Sequence, residues 1–157
     1  MSGVSAEEAL LTALHDLLDR LSSSAGDIVA AAGVAPRTGG TPNGWTTIEV
    51  VGHLHAVEVD VWQVRLRSLE VESDPWWDWT EPGTGLAEDA VSLDELCIRF
   101  SEARTQTVAT LRHLDPTGWQ RTGRHATFGA LDVAGLMERA LEHDLEHLRG
   151  LRAAIER

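Results

Sequence analysis

The stretch Ala130–Ile155, ALDVAGLMERALEHDLEHLRGLRAAI, contains no proline and is long enough to be a helix that crosses a small domain. At roughly 100° per residue, Met137, Leu141, Leu145, Leu148 and Ile155 form an apolar arc, with Leu136, Ala140, His143, His147 and Leu151 along its edge. Such a helix must bury its arc against other elements, and three further segments share its period. The first starts at the capping box Ser5-Ala6-Glu7-Glu8 and carries Leu10, Leu14, Leu17, Leu21, Ala25 and Ile28, with a weak point expected at Ser22-Ser23-Ser24 or Gly26. The second opens with Thr46-Thr47-Ile48-Glu49 and runs to about Glu70, with Val50, Leu54, Val57, Val61 and Val64 on its packed side. The third is capped by Ser92-Leu93-Asp94-Glu95, presents Leu93, Leu96, Cys97, Phe100, Val108 and Leu111, and ends at Asp115-Pro116. The chain is therefore predicted to be all-α, a four-helix bundle forming one domain over residues 1–157, with no strand.

Turn residues collect between these segments. Gly33 to Gly44, with Pro36 and Pro42, separates the first two helices, and the stretch from the end of the second to Val91 is longer than two packed neighbours need. That second linker holds Trp76-Trp77-Asp78-Trp79, three of the six tryptophans, and is expected to cross the bundle or fold over one end. The rings are expected to close that end, wall a substrate pocket or dock on a partner. With 13 basic residues, all Arg, against 25 acidic ones, the net charge of −12 repels phosphate backbones and anionic lipid, so neither nucleic acid nor membrane is an expected partner. The lone Cys97 and the absence of a secretory leader pattern point to the cytoplasm. The Arg-for-Lys bias fits a bacterial source.

The histidines carry the chemistry. His143 and His147, four residues apart, stack on one helix face and can share a metal ion, although two ligands do not complete a site. Asp144 falls inside the apolar arc, where a carboxylate needs a partner, either an Arg on a facing helix or the N–H of a ligating histidine. A third ligand must come from another helix. His53 and His55 sit on opposite borders of the second helix's apolar arc, and periodicity does not choose between them. His15, His113 and His125 fall where solvated or capping roles suffice.

Gly44-Trp45-Thr46, Val50-Val51-Gly52-His53-Leu54 and Glu58, followed by Phe128-Gly129-Ala130-Leu131 and Glu142-His143-Asp144-Leu145-Glu146-His147-Leu148, together resemble the paired signature of the DinB-like superfamily over nearly the whole chain. The resemblance implies a DinB/YfiT-like four-helix bundle with long crossover connections, often a homodimer. It implies that His53, His143 and His147 bind a divalent metal, and so selects His53 over His55. Related branches include thiol-dependent S-transferases and mycothiol-dependent maleylpyruvate isomerases.

Three imidazoles suit zinc, nickel or iron and leave positions open for water or substrate. The leading expectation is a metal-dependent, thiol S-transferase-like enzyme acting on a small-molecule substrate, with mycothiol or bacillithiol as cosubstrate and the ion lowering the thiol's pKa. Cys97 reads as core, so the chain offers no nucleophile of its own. Asp144 and Glu58 are the candidates for orienting ligands or carrying protons. The rival reading is a non-catalytic, stress-related bundle that binds a metal or ligand, which a fourth protein ligand such as His55 or Glu58 would favour.

Overall fold

The computed structural model describes residues 3–84 and 91–157. Four helical rods build the bundle. Helix α1 (Ala6–Val34) is unbroken through Ser22–Ser24 and Gly26, so the expected weak point is absent. The second rod consists of α2 (Thr47–Val57), a π-helical turn at Glu58–Trp62 and α3 (Gln63–Val71). Helices α4 (Leu93–Arg112) and α6 (Val133–Ile155) complete it, with a single short turn, α5 (Pro116–Trp119), between them. The capping boxes at Ser5/Glu8 and Thr46/Glu49 both form, each satisfying two backbone N–H groups that the first turn leaves free. Helix α1 packs against α6 and α4, and α2 against α4. Among the described residues, no helix is long and apolar enough to cross a membrane.

The π-turn changes which side chains face inward. Gln63 N–H bonds to the Glu58 carbonyl five residues back, which inserts one residue into the helical phase. A strict 3.6-residue period places Val64 on the packed side; beyond the turn Val64 is exposed, and Arg65, Leu66 and Leu69 are buried instead. Leu10 and Leu145, both assigned to packed stripes, are also exposed. The stripe of α4 is buried throughout, Cys97 included.

The expectation of no strand is corrected. Trp76–Trp77 (β1) pairs in parallel with Thr122–His125 (β2), which pairs antiparallel with Gly129–Asp132 (β3). Helix α6 accordingly starts at Val133, capped by the Asp132 carboxylate on Gly135 N–H, rather than at Ala130. Strands of two to four residues are too short to show an alternation. Gly123 explains how the Trp cluster docks. A Cβ there would stand 2.4 Å from Trp77 Cη2, so the indole lies flat across β2 only because no side chain intervenes. Trp77 is buried, while Trp76 and Trp79 stay exposed.

The core is split in two. One apolar cluster holds Leu17, Leu21, Val61, Leu111 and Leu141; the other holds Ala25, Ile28, Leu54, Phe100 and Leu148. Between them each rod contributes buried polar residues at one level: Ser24 from α1, His53 and Glu58 from the second rod, Arg104 and Thr107 from α4, and Asp144 from α6.

Candidate metal centre and its cavity

His53 is fully buried on α2, whose surface is covered almost all round. Its Nδ1–H donates to the carbonyls of Pro82 (2.7 Å) and Gly83 (2.9 Å). Two carbonyl acceptors require the proton on Nδ1, which leaves the Nε2 lone pair free. Nε2 faces His143 Nε2 at 3.1 Å. Two nitrogen lone pairs at that separation repel unless a proton or a cation lies between them. His147, one helical turn beyond His143, completes the group, and the ligand-type atoms of His53, His143 and His147 all lie within 4.8 Å of one another. His55 does not join them, and neither does any Asp, Glu or Cys among the described residues.

Burial keeps the two rings on α6 neutral. Burial lowers the His143 pKa to about 3, helped by the neighbouring His147, His53 and Arg104. Burial, then His53, lowers that of His147 to about 4. Trp45 supplies much of the cover, stacked on His147 (5.9 Å between centroids, 8° between planes) and edge-on to His53 at 4.8 Å. A neutral imidazole presents a lone pair without having to lose a proton first. Two nitrogens bound to one ion at about 2.0–2.1 Å stand about 2.8–3.4 Å apart for right to tetrahedral angles, and the His53–His143 spacing lies in that range. The donor set therefore fits a divalent ion of the zinc, nickel or iron type.

Asp144 and Glu58 serve another centre. Both are 1% exposed, and both bind Arg104. Its Nη1 and Nη2 donate to Asp144 at 2.7 and 3.3 Å, and its Nε and Nη2 donate to Glu58 at 3.1 and 2.7 Å. Ser24 Oγ donates to Asp144 (2.7 Å) and Thr107 Oγ1 to Glu58 (2.5 Å). Burial alone would lower the Arg104 pKa, but the two carboxylates outweigh it and raise it. Of the two partners considered for Asp144, the Arg on a facing helix is therefore the one found. No histidine N–H reaches either carboxylate, and His143 Nδ1 is buried without a partner among the described residues.

Beside His143 and His147 opens a cavity of about 680 Å³, walled by Trp45, Val57, Val61, Trp62, Trp79 and Phe128. That size and apolar lining suit a small organic molecule. Three cavity residues had no signal in the sequence. Arg65 is brought inward by the π-turn, His125 by the unforeseen strand β2, and Arg139 lies beside Phe128, its guanidinium 4.7 Å from the ring centre. His125, expected to be solvated or capping, is 2% exposed. His15 is exposed, and His113 Nδ1–H donates to the Ala109 carbonyl at the end of α4, as a capping role requires.

A sequence profile described as the DinB superfamily matches residues 7–151. Among solved structures, the chain is similar to YfiT from Bacillus subtilis, described as a probable metal-dependent hydrolase with an unusual four-helix bundle topology. The two share 17% identity and a TM-score of 0.78, over 99% of this chain and 90% of that one. It is also similar to TT2238, described as a four-helix bundle protein, with 25% identity and a TM-score of 0.61 over 89% of this chain and 98% of that one. No curated protein matches the sequence. Both likenesses agree with the bundle read from the helical periods.

Proposed function

Because the chain belongs to the DinB superfamily, we propose that it is a metal-dependent enzyme whose ion is held by His53, His143 and His147 and whose small-molecule substrate occupies the adjoining cavity. The observation that carries this reading is a cluster of three imidazoles with no fourth ligand-type side chain among the described residues, bordering a cavity. A structural site would be closed by a fourth protein ligand; three ligands leave a position open. The description of YfiT as a probable metal-dependent hydrolase supports the same class.

The ion would supply Lewis acidity, lowering the pKa of the nucleophile it accepts. The chain's own residues do the rest. The Pro82 and Gly83 carbonyls fix the tautomer and ring plane of His53. Trp45 and Trp62 flank the histidines and exclude water, which strengthens every charge interaction there. Arg104, bonded to Glu58 on the second rod and Asp144 on α6, ties together the two elements that carry the histidines. Among the described residues no thiol is placed to attack, since Cys97 is buried in the core cluster with Phe100 and Leu148 and burial raises its pKa. The nucleophile is therefore external, either water or a low-molecular-weight thiol. A cavity of about 680 Å³ has room for a thiol cosubstrate beside an electrophile, which favours transfer to a thiol of the mycothiol or bacillithiol kind.

Metal analysis of the wild type beside His53→Ala, His143→Ala and His147→Ala tests the centre. About one divalent ion per chain is expected in the wild type and almost none in the variants; full occupancy in all three would refute it. Turnover of a panel of electrophiles by the metal-loaded protein, with and without added thiol, then separates transfer from hydrolysis.

A further inference from the structure

Two buried arginines in this fold are treated in opposite ways. Arg104 has two carboxylates to itself. Arg65 is 6% exposed, and among the described residues no carboxylate lies within ion-pair distance of it. Among those residues its side chain makes one hydrogen bond, from Nη2 to the Asp78 carbonyl at 3.0 Å, and its guanidinium lies over the rings of Trp62 (5.5 Å) and Trp77 (6.0 Å). A guanidinium carries five N–H donors, so most of its capacity is unused. A buried cation without a counter-charge is costly, and burial lowers the Arg65 pKa accordingly.

Arg65 lines the cavity beside the histidines, and it has company there. Among the described residues, the side-chain nitrogens that are both sealed from solvent and unpartnered are His125 Nε2, Arg139 Nε and His143 Nδ1, and all three residues line this cavity. His125 Nδ1 accepts from the backbone N–H groups of Thr127 (3.0 Å) and Phe128 (3.4 Å), so the ring proton resides on Nε2 as a donor without an acceptor. Burial, then the Arg65 charge, lowers the His125 pKa. Trp79 and Phe128 pack on His125 at 6.1 and 4.7 Å between centroids. Arg65, His125 and Arg139 thus bring unused donors to one aromatic-walled space, and Phe128 lies against both His125 and Arg139.

We propose that this side of the cavity is a carboxylate subsite, in which a small carboxylic acid with an apolar or aromatic body places its carboxylate on Arg65, with His125 Nε2–H and Arg139 Nε–H as companion donors. The inference rests on reading the adjacent histidines as the reaction centre. A single unpaired guanidinium suits a monoanion, and Arg presents the paired donors that a carboxylate's two oxygens accept. Glu81, Glu142 and Glu146 also border the cavity, and Glu142 pairs with Arg139 Nη1 at 2.7 Å, but all three are exposed. Water screens these rim charges far more than the buried donors, so the rim does not cancel the subsite. Trp79 lies exposed over His125 and is the residue a ligand would move to reach Nε2.

The test is a titration with benzoate and its neutral isostere benzamide, followed by tryptophan fluorescence and calorimetry, on metal-loaded protein and on protein kept metal-free with a chelator. Saturable benzoate binding is expected in both forms, with benzamide at least about tenfold weaker. Arg65→Gln should weaken benzoate at least about tenfold and leave benzamide unchanged, while Arg65→Lys, which keeps the charge, restores part of the loss. Equal binding of the two probes, no saturable benzoate binding, or unchanged affinity in Arg65→Gln would overturn the proposal. So would benzoate binding that requires metal and ignores Arg65. If Arg65→Gln fails to fold, the wild-type comparison and Arg139→Gln, expected to weaken benzoate severalfold, still decide it. Because the metal-free arm does not depend on the ion, failure of the subsite and failure of the metal centre give different results.

Discussion

Arg104→Met removes the cation from the polar layer and leaves the Glu58 and Asp144 carboxylates, each 1% exposed, without their counter-charge. Four charged hydrogen bonds of 2.7 to 3.3 Å disappear. Removing one partner from a buried ion pair costs about 3–5 kcal/mol, a large share of the roughly 5–15 kcal/mol that holds a domain folded. At about 2 kcal/mol per molar urea, the midpoint of unfolding by circular dichroism at pH 7 should fall by about 1.5–2.5 M. The loss should shrink on acidification. Burial already raises the Asp144 pKa in the intact protein, and without the opposing charge and hydrogen bond of Arg104 it rises further above its unfolded value of about 3.9. A group raised in this way stabilises the fold fully below its unfolded pKa and loses that contribution as pH rises through the folded one. The gap to wild type should therefore narrow between pH 7 and about pH 4.5. Replacing all three charges, with Glu58→Gln and Asp144→Asn added, should recover part of the loss because no unpaired charge remains. A single variant that loses less than about 1 kcal/mol, or a gap that widens in acid, would refute the account of this layer as a coupled ion cluster.

Gly123→Ala sets a methyl 2.4 Å from Trp77 Cη2 and should cost about 1–3 kcal/mol by urea titration, with a change in tryptophan emission; an unchanged midpoint would mean that the indole does not rest on β2. The π-turn predicts opposite outcomes for two valines that share a 3.6-residue stripe. Val61→Ala should cost about 2 kcal/mol, whereas Val64→Ala should stay within about 0.5 kcal/mol, and equal losses would contradict the phase shift. Burial raises the Cys97 thiol pKa, so the native protein at pH 8 should resist an aromatic disulfide reagent that labels it at once in denaturant. The sign is the same as for Asp144, and any stability linked to Cys97 is lost only as pH rises beyond the ordinary thiol range.

The helices were legible in the sequence because their causes are local. Two capping boxes and the Ser92 cap mark where three rods begin, and the period of Leu17, Leu21, Ala25 and Ile28 states which face is buried. The pair His143 and His147 was legible for the same reason, as a matter of spacing on one helix. Choosing His53 over His55 needed either the resemblance or the fold, since the two lie on opposite borders of one arc and only packing decides which border meets α6. The short strands and the π-turn were not legible. A two-residue strand has no period, and the π-turn is a five-residue departure from the 3.6-residue period that no cap or breaker marks. Their consequences followed from that: Val64 left the core, and Arg65 and His125 entered a cavity.

By itself, then, the sequence determined where the four long helical segments lie, most of the face each one buries up to the π-turn, and that two histidines share a helix face, because these depend on neighbours within a few residues. The tertiary structure alone decided that Asp144 belongs to Arg104 and not to a ligand, and that unpaired donors line the cavity beside the cluster; the third histidine, left open by the helical period, was chosen by the resemblance and is brought to the pair by the fold. Each of those facts depends on side chains far apart in the chain, as with Arg104 and Glu58 at 46 residues' separation or His53 and His143 at 90, and nothing local encodes such a meeting.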